Sequence, residues 1–434
     1  MKMFSAVVAC AVTSFFMVQA AFGLDLEEMQ DIALSKRELV KRYQINMEKS
    51  IKDVALARAP NRPSIDFSYQ ANRVDSQVSG LDSQTSGLGG NSISEPEESS
   101  VLRGAVTWNI FNGFKDTYQI ESAQLLRQVE QHQLNGIEQD IMLNVALRYL
   151  DVYQGKANLE VARKNLLTLK KIYRDAQNRL EVGLIDRNEL LKFKVDLDNS
   201  DIQVERARAN LQKSIELLGR EIGQKVELDQ LDFKEFEDIP AKKELHYNAS
   251  RMFDNRSELL ALGKLVDASR FQAQAQESGY YPRVDLIGSY QNYDDDAING
   301  RGDISEDELR AQLQLSINLY QGGATRESVA KARLESRGLQ YDFQELRDSL
   351  ETELNNLHID FNVSLRNVKV ALSGIEQAGE NLRITRLKYG EGLQRESDLL
   401  DAVANLSRAQ FNHVTAVTTV FQNHFQIVRM VEEF

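Results

Sequence analysis

Thiols are nearly absent from this chain of 434 residues, in which Cys10 is the one cysteine. It lies in the apolar run at the N-terminus, so everything after it lacks a disulfide or a thiolate metal site and must be stabilised by packing and association. No stretch after that run holds 18 consecutive apolar residues, which excludes a retained transmembrane helix and leaves a β-barrel as the way into a bilayer. Proline is missing from Glu97 to Ile239 and from Arg283 to Phe434, so nothing there interrupts long helices. The five histidines, His132, His246, His358, His413 and His424, are scattered. There is no Gly-x-Ser-x-Gly and no phosphate-cradling glycine loop, so neither an enzyme nor a cofactor or metal site is expected. The formal net charge is −13 with no Lys/Arg block, which argues against nucleic acid.

What is present begins with a secretory signal. Lys2, the apolar run Ala6 to Val18 and the small residues Ala20, Ala21 and Gly23 precede the acidic Asp25-Leu26-Glu27-Glu28, so residues 1–23 read as a signal peptide. Cys10 follows Val7-Val8-Ala9, neighbours that do not suit lipid attachment but leave it open.

The body of the chain says the same thing twice. Asn109-Ile110-Phe111-Asn112-Gly113 recurs at an offset of 209 as Asn318-Leu319-Tyr320-Gln321-Gly322, and Gly183-Leu184 recurs at the same offset as Gly392-Leu393. Two copies of one unit are expected, spanning 24–222 and 246–434, with 223–245 as connector. Each opens with a helix, Leu26 to about Ala59 and about Tyr247 to Ser278, that ends at Pro60 and Pro63 or at Pro282.

After the proline the period becomes two. Ile65, Phe67, Tyr69 and Ala71 alternate with polar residues, as do Leu102, Gly104, Val106, Trp108 and Ile110; the second copy does the same at Val284, Leu286, Gly288 and Tyr290, then from Leu309 through Leu315 to Leu319. Hairpins are expected at 63–112 and 282–321. Such alternation suits a soluble hairpin as well as a membrane one. The signal peptide and the aromatics at strand ends (Tyr69, Trp108, Phe111, Tyr290, Tyr320) favour the membrane. Closing a barrel takes about eight strands, so several chains must contribute. The loops Ser76 to Ser100 and Asp294 to Glu308 read as mobile surface segments.

Helical hairpins are expected at 113–222 and 322–434. Val145, Val152, Leu159, Leu166, Tyr173 and Leu180 are spaced by seven, and their counterparts are Leu354, Phe361, Val368, Ile375, Leu382 and Tyr389. That is a coiled-coil seam, on a helix of about 100 Å from Phe114 to Glu181. Past Gly183 and Gly392 the heptad resumes as Leu190, Leu197, Val204, Leu211 and Leu218, matched by Leu399, Leu406, His413, Val420 and Ile427. A lone His413 on the seam reads as a half-exposed core residue, since no second ligand accompanies it. The connector, with Asp232-Phe233-Lys234-Glu235-Phe236, is either packed on the helices or a plain linker.

These residues together resemble the TolC-type outer-membrane efflux proteins, over nearly the whole chain after the signal. The resemblance rests on Leu26-Glu27-Glu28 with Ala33-Leu34, Asn255-Arg256-Ser257-Glu258-Leu259 and the strand-to-helix junctions. Its most specific part is Tyr389-Gly390-Glu391-Gly392-Leu393, continuing through Ser397-Asp398-Leu399-Leu400-Asp401-Ala402. It implies a mainly α fold with β: a homotrimer with a twelve-stranded barrel in outer-membrane lipid, continued by a helical coiled-coil tunnel in the periplasm. It also implies a periplasmic adaptor and an inner-membrane pump as partners. The adaptor-contacting tips map to Val182, Gly183 and Leu184 and to Glu391, Gly392 and Leu393. Asp398 and Asp401 match the acids ringing the family's aperture, although carboxylates are favoured in any helix first turn. Tyr389 matches the tyrosine of the tip latch, and Glu189 sits where the family's first copy often has an aspartate; Gln394 stands where the family has its latch arginine, with Arg395 beside it.

The expected function is therefore a passive exit duct for small molecules or secreted proteins. A periplasmic coiled-coil scaffold that never enters the outer membrane is the alternative. It accounts for the heptads but not for four alternating strands.

Overall fold

The computed structural model describes residues 24–74, 97–236, 238–240 and 249–434. Residues 1–23 with Cys10, residues 75–96, where most of the first expected loop falls, residue 237, and residues 241–248 with His246 and Tyr247 lie outside the described residues. The elements in chain order are α1 (Leu26–Lys36), α2 (Glu38–Ala57), β1 (Ser64–Val74), β2 (Glu97–Phe111), α3 (Lys115–Glu181) and α4 (Arg187–Ile222). They continue as α5 (Ala249–Asn255), α6 (Ser257–Gln276), β3 (Arg283–Asp294), β4 (Ser305–Ser316), α7 (Ala324–Gly390) and α8 (Glu396–Val431). Adding 209 to the bounds of α3 and α4 gives those of α7 and α8: helices of 67 and 36 residues recur to the residue.

Two compact units result, each drawing on both copies. One comprises the chain up to Val40 with Ile137–Met252 and Glu351–Phe434; the other comprises Lys41–Gly136 and Phe253–Leu350.

The second unit holds an antiparallel sheet in the order β1-β2-β3-β4. Ile65 faces Val106, Val106 faces Gly288, Trp108 faces Leu286, and Leu286 faces Leu313. Directly opposed residues share a face, so the alternating apolar residues of all four strands form one band, as the period of two predicts. A bulge between Asn109 and Phe111 takes Ile110 out of the alternation and sets Phe111 against Val284.

Three expectations in this unit need correction. Glu97 to Ser100 and Ser305 to Glu308 are strand rather than loop, paired with Val74 to Ala71 and with Asp294 to Gln291. β4 stops at Ser316 instead of reaching Leu319, because β3 begins at Arg283 opposite Ser316 and offers nothing beyond it. The acidic loop after β3 is tied down rather than mobile: the Asp294 carboxylate accepts the backbone N–H of Asp296, Gly300 and Gly302, and Asp295 accepts that of Ile304.

In the first unit the heptad positions are the core. Val145, Val152, Leu354, Phe361, Val420 and Ile427 are all buried, and His413 is half-buried. Among the described residues no helix is long and apolar enough to cross a membrane.

The opening helix of each copy, expected to be continuous, is broken. Arg37 takes an extended backbone between α1 and α2, and its guanidinium reaches the Arg220 carbonyl at 3.2 Å and Glu221 at 3.3 Å. Its counterpart in the second copy is Arg256, which stands between α5 and α6 with ψ of 110°. Periodicity alone does not register such breaks, since an arginine is a good helix former whose tertiary partner decides the matter.

The connector packs. Phe236 is buried, its ring 5.0 Å from Phe421, 5.1 Å from Tyr149 and 4.9 Å from Tyr153, and Phe233 stacks on Tyr149 at 5.1 Å. Leu24 bridges to Leu231 beside this cluster.

Candidate functional site at the helical tips

Both long helices end alike. Gly183 has φ of 78° and Gly392 of 74°; Leu184 N–H bonds the Arg179 carbonyl and Leu393 N–H the Lys388 carbonyl, each at 2.8 Å. This is a Schellman closure, which needs a left-handed residue. A Cβ at Gly392 would meet nothing within 4 Å, so substitution strains the backbone alone. We expect Gly392→Ala to lower stability by about 1–2 kcal/mol. Gly374→Ala, inside α7 with similar open space, should raise it by about 0.5–1 kcal/mol. Thermal melts of the two variants shifting in the same direction would contradict this.

The two returning helices start differently. The Asp186 side chain caps α4, accepting the Glu189 N–H at 2.8 Å. At the matching place in α8 stands Arg395, whose N–H donates to Asp398 Oδ2 at 3.2 Å. Asp398 thus closes the first turn of its own helix. Asp401 is exposed one turn on. Burial, and then the charge of Asp401, push the Asp196 carboxyl of α4 above its ordinary range.

Tyr389 is the centre of the tip. Its ring is buried with Phe193, Leu399 and Val403 and meets Phe193 edge-on at 5.9 Å. Its hydroxyl donates to Glu189 Oε1 at 2.6 Å. Burial, reinforced by that bond, pushes the phenol above its ordinary value. Arg179 lies over the ring at 5.1 Å and donates to the Tyr389 and Gly390 carbonyls at 3.3 and 3.0 Å. Arg386 pairs with Asp175 at 3.2 Å, and Lys192 with Glu396. Four links therefore join α3 and α4 to α7 and α8.

The Lys192–Glu396 pair holds Glu396 below and Lys192 above their ordinary ranges. The Glu396 contribution is present above its unfolded pKa and lost as pH falls through the lowered folded value. The Lys192 contribution is present below its unfolded pKa and lost as pH rises through the raised one. The pair therefore persists across neutral pH. Beyond it Val182, Leu184 and Leu393 are 70, 70 and 77% exposed, large apolar side chains held in solvent at the turns.

The outer membrane efflux protein family matches residues 30–224 and 249–431. The chain belongs to that family. It is similar to the outer membrane protein TolC of Vibrio cholerae, at 23% identity over 344 residues covering 75% of this chain and 77% of that one. The proteases secretion protein PrtF of Dickeya chrysanthemi is 19% identical over 402 residues, covering 88% and 82%. Among solved structures, the outer membrane protein VceC from Vibrio cholerae superposes with a TM-score of 0.77 at 13% identity, covering 94% of this chain and 95% of that one. The channel OprN gives 0.79 at 15%, covering 94% and 89%. As a family member the chain is an outer-membrane export channel whose helical part lies in the periplasm. The soluble-scaffold alternative is set aside.

Within this efflux protein the structure brings Tyr389 and Glu189 together. It does not bring Arg395 to them; that guanidinium makes no hydrogen bond or ion pair with either, and the arginine on Tyr389 is Arg179 of α3. Arg179 escaped the sequence reading because only folding sets α3 beside the end of α7. Lys192 carried a signal: subtracting 209 from Asp398 and Asp401 gives Glu189 and Lys192, so the first copy has a cation where the second has its second acid.

Proposed function

We propose that three copies assemble into one conduit with a twelve-stranded barrel, and that it serves as the passive outer-membrane exit of a tripartite exporter. The observation that carries this is the sheet: four strands with a continuous apolar band and both edge strands, β1 and β4, exposed along their whole length. Four strands cannot close around a lumen, and three sets of four can. In this reading a periplasmic adaptor docks on the exposed apolar turns at Val182, Gly183 and Leu184 and at Glu391, Gly392 and Leu393. An inner-membrane pump supplies the energy. Tyr389, Glu189 and Arg179 tie the tips shut, with Arg395 acting only through its helix cap.

Three copies of Asp398 and Asp401 would set six carboxylates around the narrow end, favouring cations. Cargo is either small molecules or polypeptides, as the names of relatives such as PrtF suggest.

The test is native mass spectrometry in detergent together with planar-bilayer recording. A trimer is expected, and Asp398→Ala with Asp401→Ala should keep it while lowering cation selectivity and block by multivalent cations at low salt. The difference should shrink as the Debye length falls from about 10 Å at 0.1 M to about 3 Å at 1 M. A stable monomer would sink the assembly, and unchanged selectivity would sink the aperture.

A further inference from the structure

The duplication is not confined to helix lengths. A shift of 219 carries β1 onto β3, and a shift of 209 carries β2 onto β4. Applied to Ser64↔Thr107 they give Arg283↔Ser316, the pair observed. The two hairpins therefore share one register to the residue. Between them lies a third ladder, β2 on β3, in which the first copy meets the second: Thr107↔Ile287, Trp108↔Leu286, Asn109↔Asp285, then Phe111↔Val284 across the bulge. At the outer edges β4 and β1 have no partner of this kind among the described residues, and their side chains are exposed throughout.

Resting on the trimer reading above, we infer that β4 of one copy pairs with β1 of the next in the register of the internal β2·β3 ladder. The same shifts then set Ser316 against Ser68 of the neighbouring copy, Leu315 against Tyr69, Leu313 against Ala71, Ile317 against Phe67 and Asn318 against Asp66.

Three independent features agree with this register. The first is parity: Leu313, Leu315 and Ile317 fall opposite Ala71, Tyr69 and Phe67, and Gln314 falls opposite Gln70, so the apolar band continues across the junction. A slip of one residue would set apolar against polar there. The second is chemistry. Inside the chain Asn109 Nδ2 donates to Asp285 Oδ1 at 2.7 Å across the ladder. The shifts carry that pair onto Asn318 and Asp66, the same two residue types. The third is the early end of β4. The residues matching the end of β2, Ile317 to Tyr320, are non-strand and exposed because only a neighbour's β1 could pair with them. They should become strand on assembly.

The helices beside the sheet point the same way. Phe271 of α6 lies against Tyr118 of α3, with ring centroids 6.3 Å apart. The shifts turn that pair into Lys52 of α2 and Glu327 of α7, both exposed and of opposite charge.

The register is tested by disulfide capture on a Cys10→Ser background, in the full chain assembled in outer membranes. Ser316→Cys with Ser68→Cys is expected to give cross-linked oligomers under mild oxidation. Within one chain these sites lie on opposite edges of the sheet and Ser68 lines up with Glu308 rather than Ser316, so they are more than three strand spacings, or about 14 Å, apart and beyond disulfide reach. Ser316→Cys paired with Asp66→Cys or with Gln70→Cys, each two residues out of register, should link at least about tenfold less, because the Cα separation then exceeds what a disulfide spans. Asn318→Leu should lower the temperature at which the oligomer falls apart, while leaving its size unchanged. Trimers that link best through a shifted pair would overturn the register and leave the trimer reading intact. Absence of any oligomer, whether oxidised or not, would overturn both.

Discussion

Phe236→Ala should lower the unfolding free energy of the helical unit by about 3–5 kcal/mol. The side chain belongs to a short connector, where an alanine would ordinarily cost little, yet it is 2% exposed. Its ring meets Tyr149 and Tyr153 of α3 and Phe421 and Phe425 of α8 within 4.9 to 6.4 Å. Removing it leaves a cavity lined by rings of separate segments, which cannot all close on it, and forfeits edge-on contacts with Phe421 and Phe425 and tilted ones with Tyr149 and Tyr153. Two residues earlier, Lys234 is 80% exposed and pairs with Asp232 of its own segment. Lys234→Ala should change stability by less than about 1 kcal/mol. Denaturant or thermal melts in detergent separate the cases. If Phe236→Ala melts with the parent protein, the connector is a passive linker after all.

Arginine placed on the apolar face of β4 should be the second large effect. Leu313→Arg or Leu315→Arg puts a charge into the band that runs through Leu286 and Trp108, and near the bilayer midplane that costs about 2–4 kcal/mol per site. Gln312→Arg and Gln314→Arg, one residue away on the other face, should fold at nearly parental yield. The readout is the fraction of each variant recovered from outer membranes in its assembled form. Equal losses at both parities would mean that the band does not face lipid.

Most of this was legible in the sequence because it depends on period. The constant offset between the copies, the period of two in the strands and the period of seven in the helices are properties of spacing, and the bounds of α3, α4, α7 and α8 follow them. What was not legible depends on a partner distant in sequence. Arg37 breaks a helix because α4 holds its guanidinium. Arg179 joins the tip because α7 ends beside it. The alternation of β4 ran on to Leu319 in the sequence, whereas the strand ends where β3 ends. The acidic loop after β3 looked mobile by composition, and three backbone bonds to Asp294 tie it. At the tip, the family resemblance singled out Tyr389 and Glu189 as positions, while the hydrogen bond between them and the bridge from Lys192 to Glu396 needed the fold.

The equal lengths of α3 and α7 carry a consequence for how such a chain can change. One residue inserted into either helix would rotate everything beyond it by about 100°, turning the seam away from its neighbours. An insertion in α3 would therefore have to be matched in α7, while the hairpin loops are under no such constraint. The copies bear this out. Val74 pairs with Glu97 in the first hairpin, and their counterparts Tyr293 and Glu306 pair across a shorter loop in the second. Before and after that loop each copy keeps a constant shift to the other, so the whole difference in length accumulated between the two strands of the hairpin. An epitope tag or reporter peptide should be accommodated there, where the chain has already changed its length once.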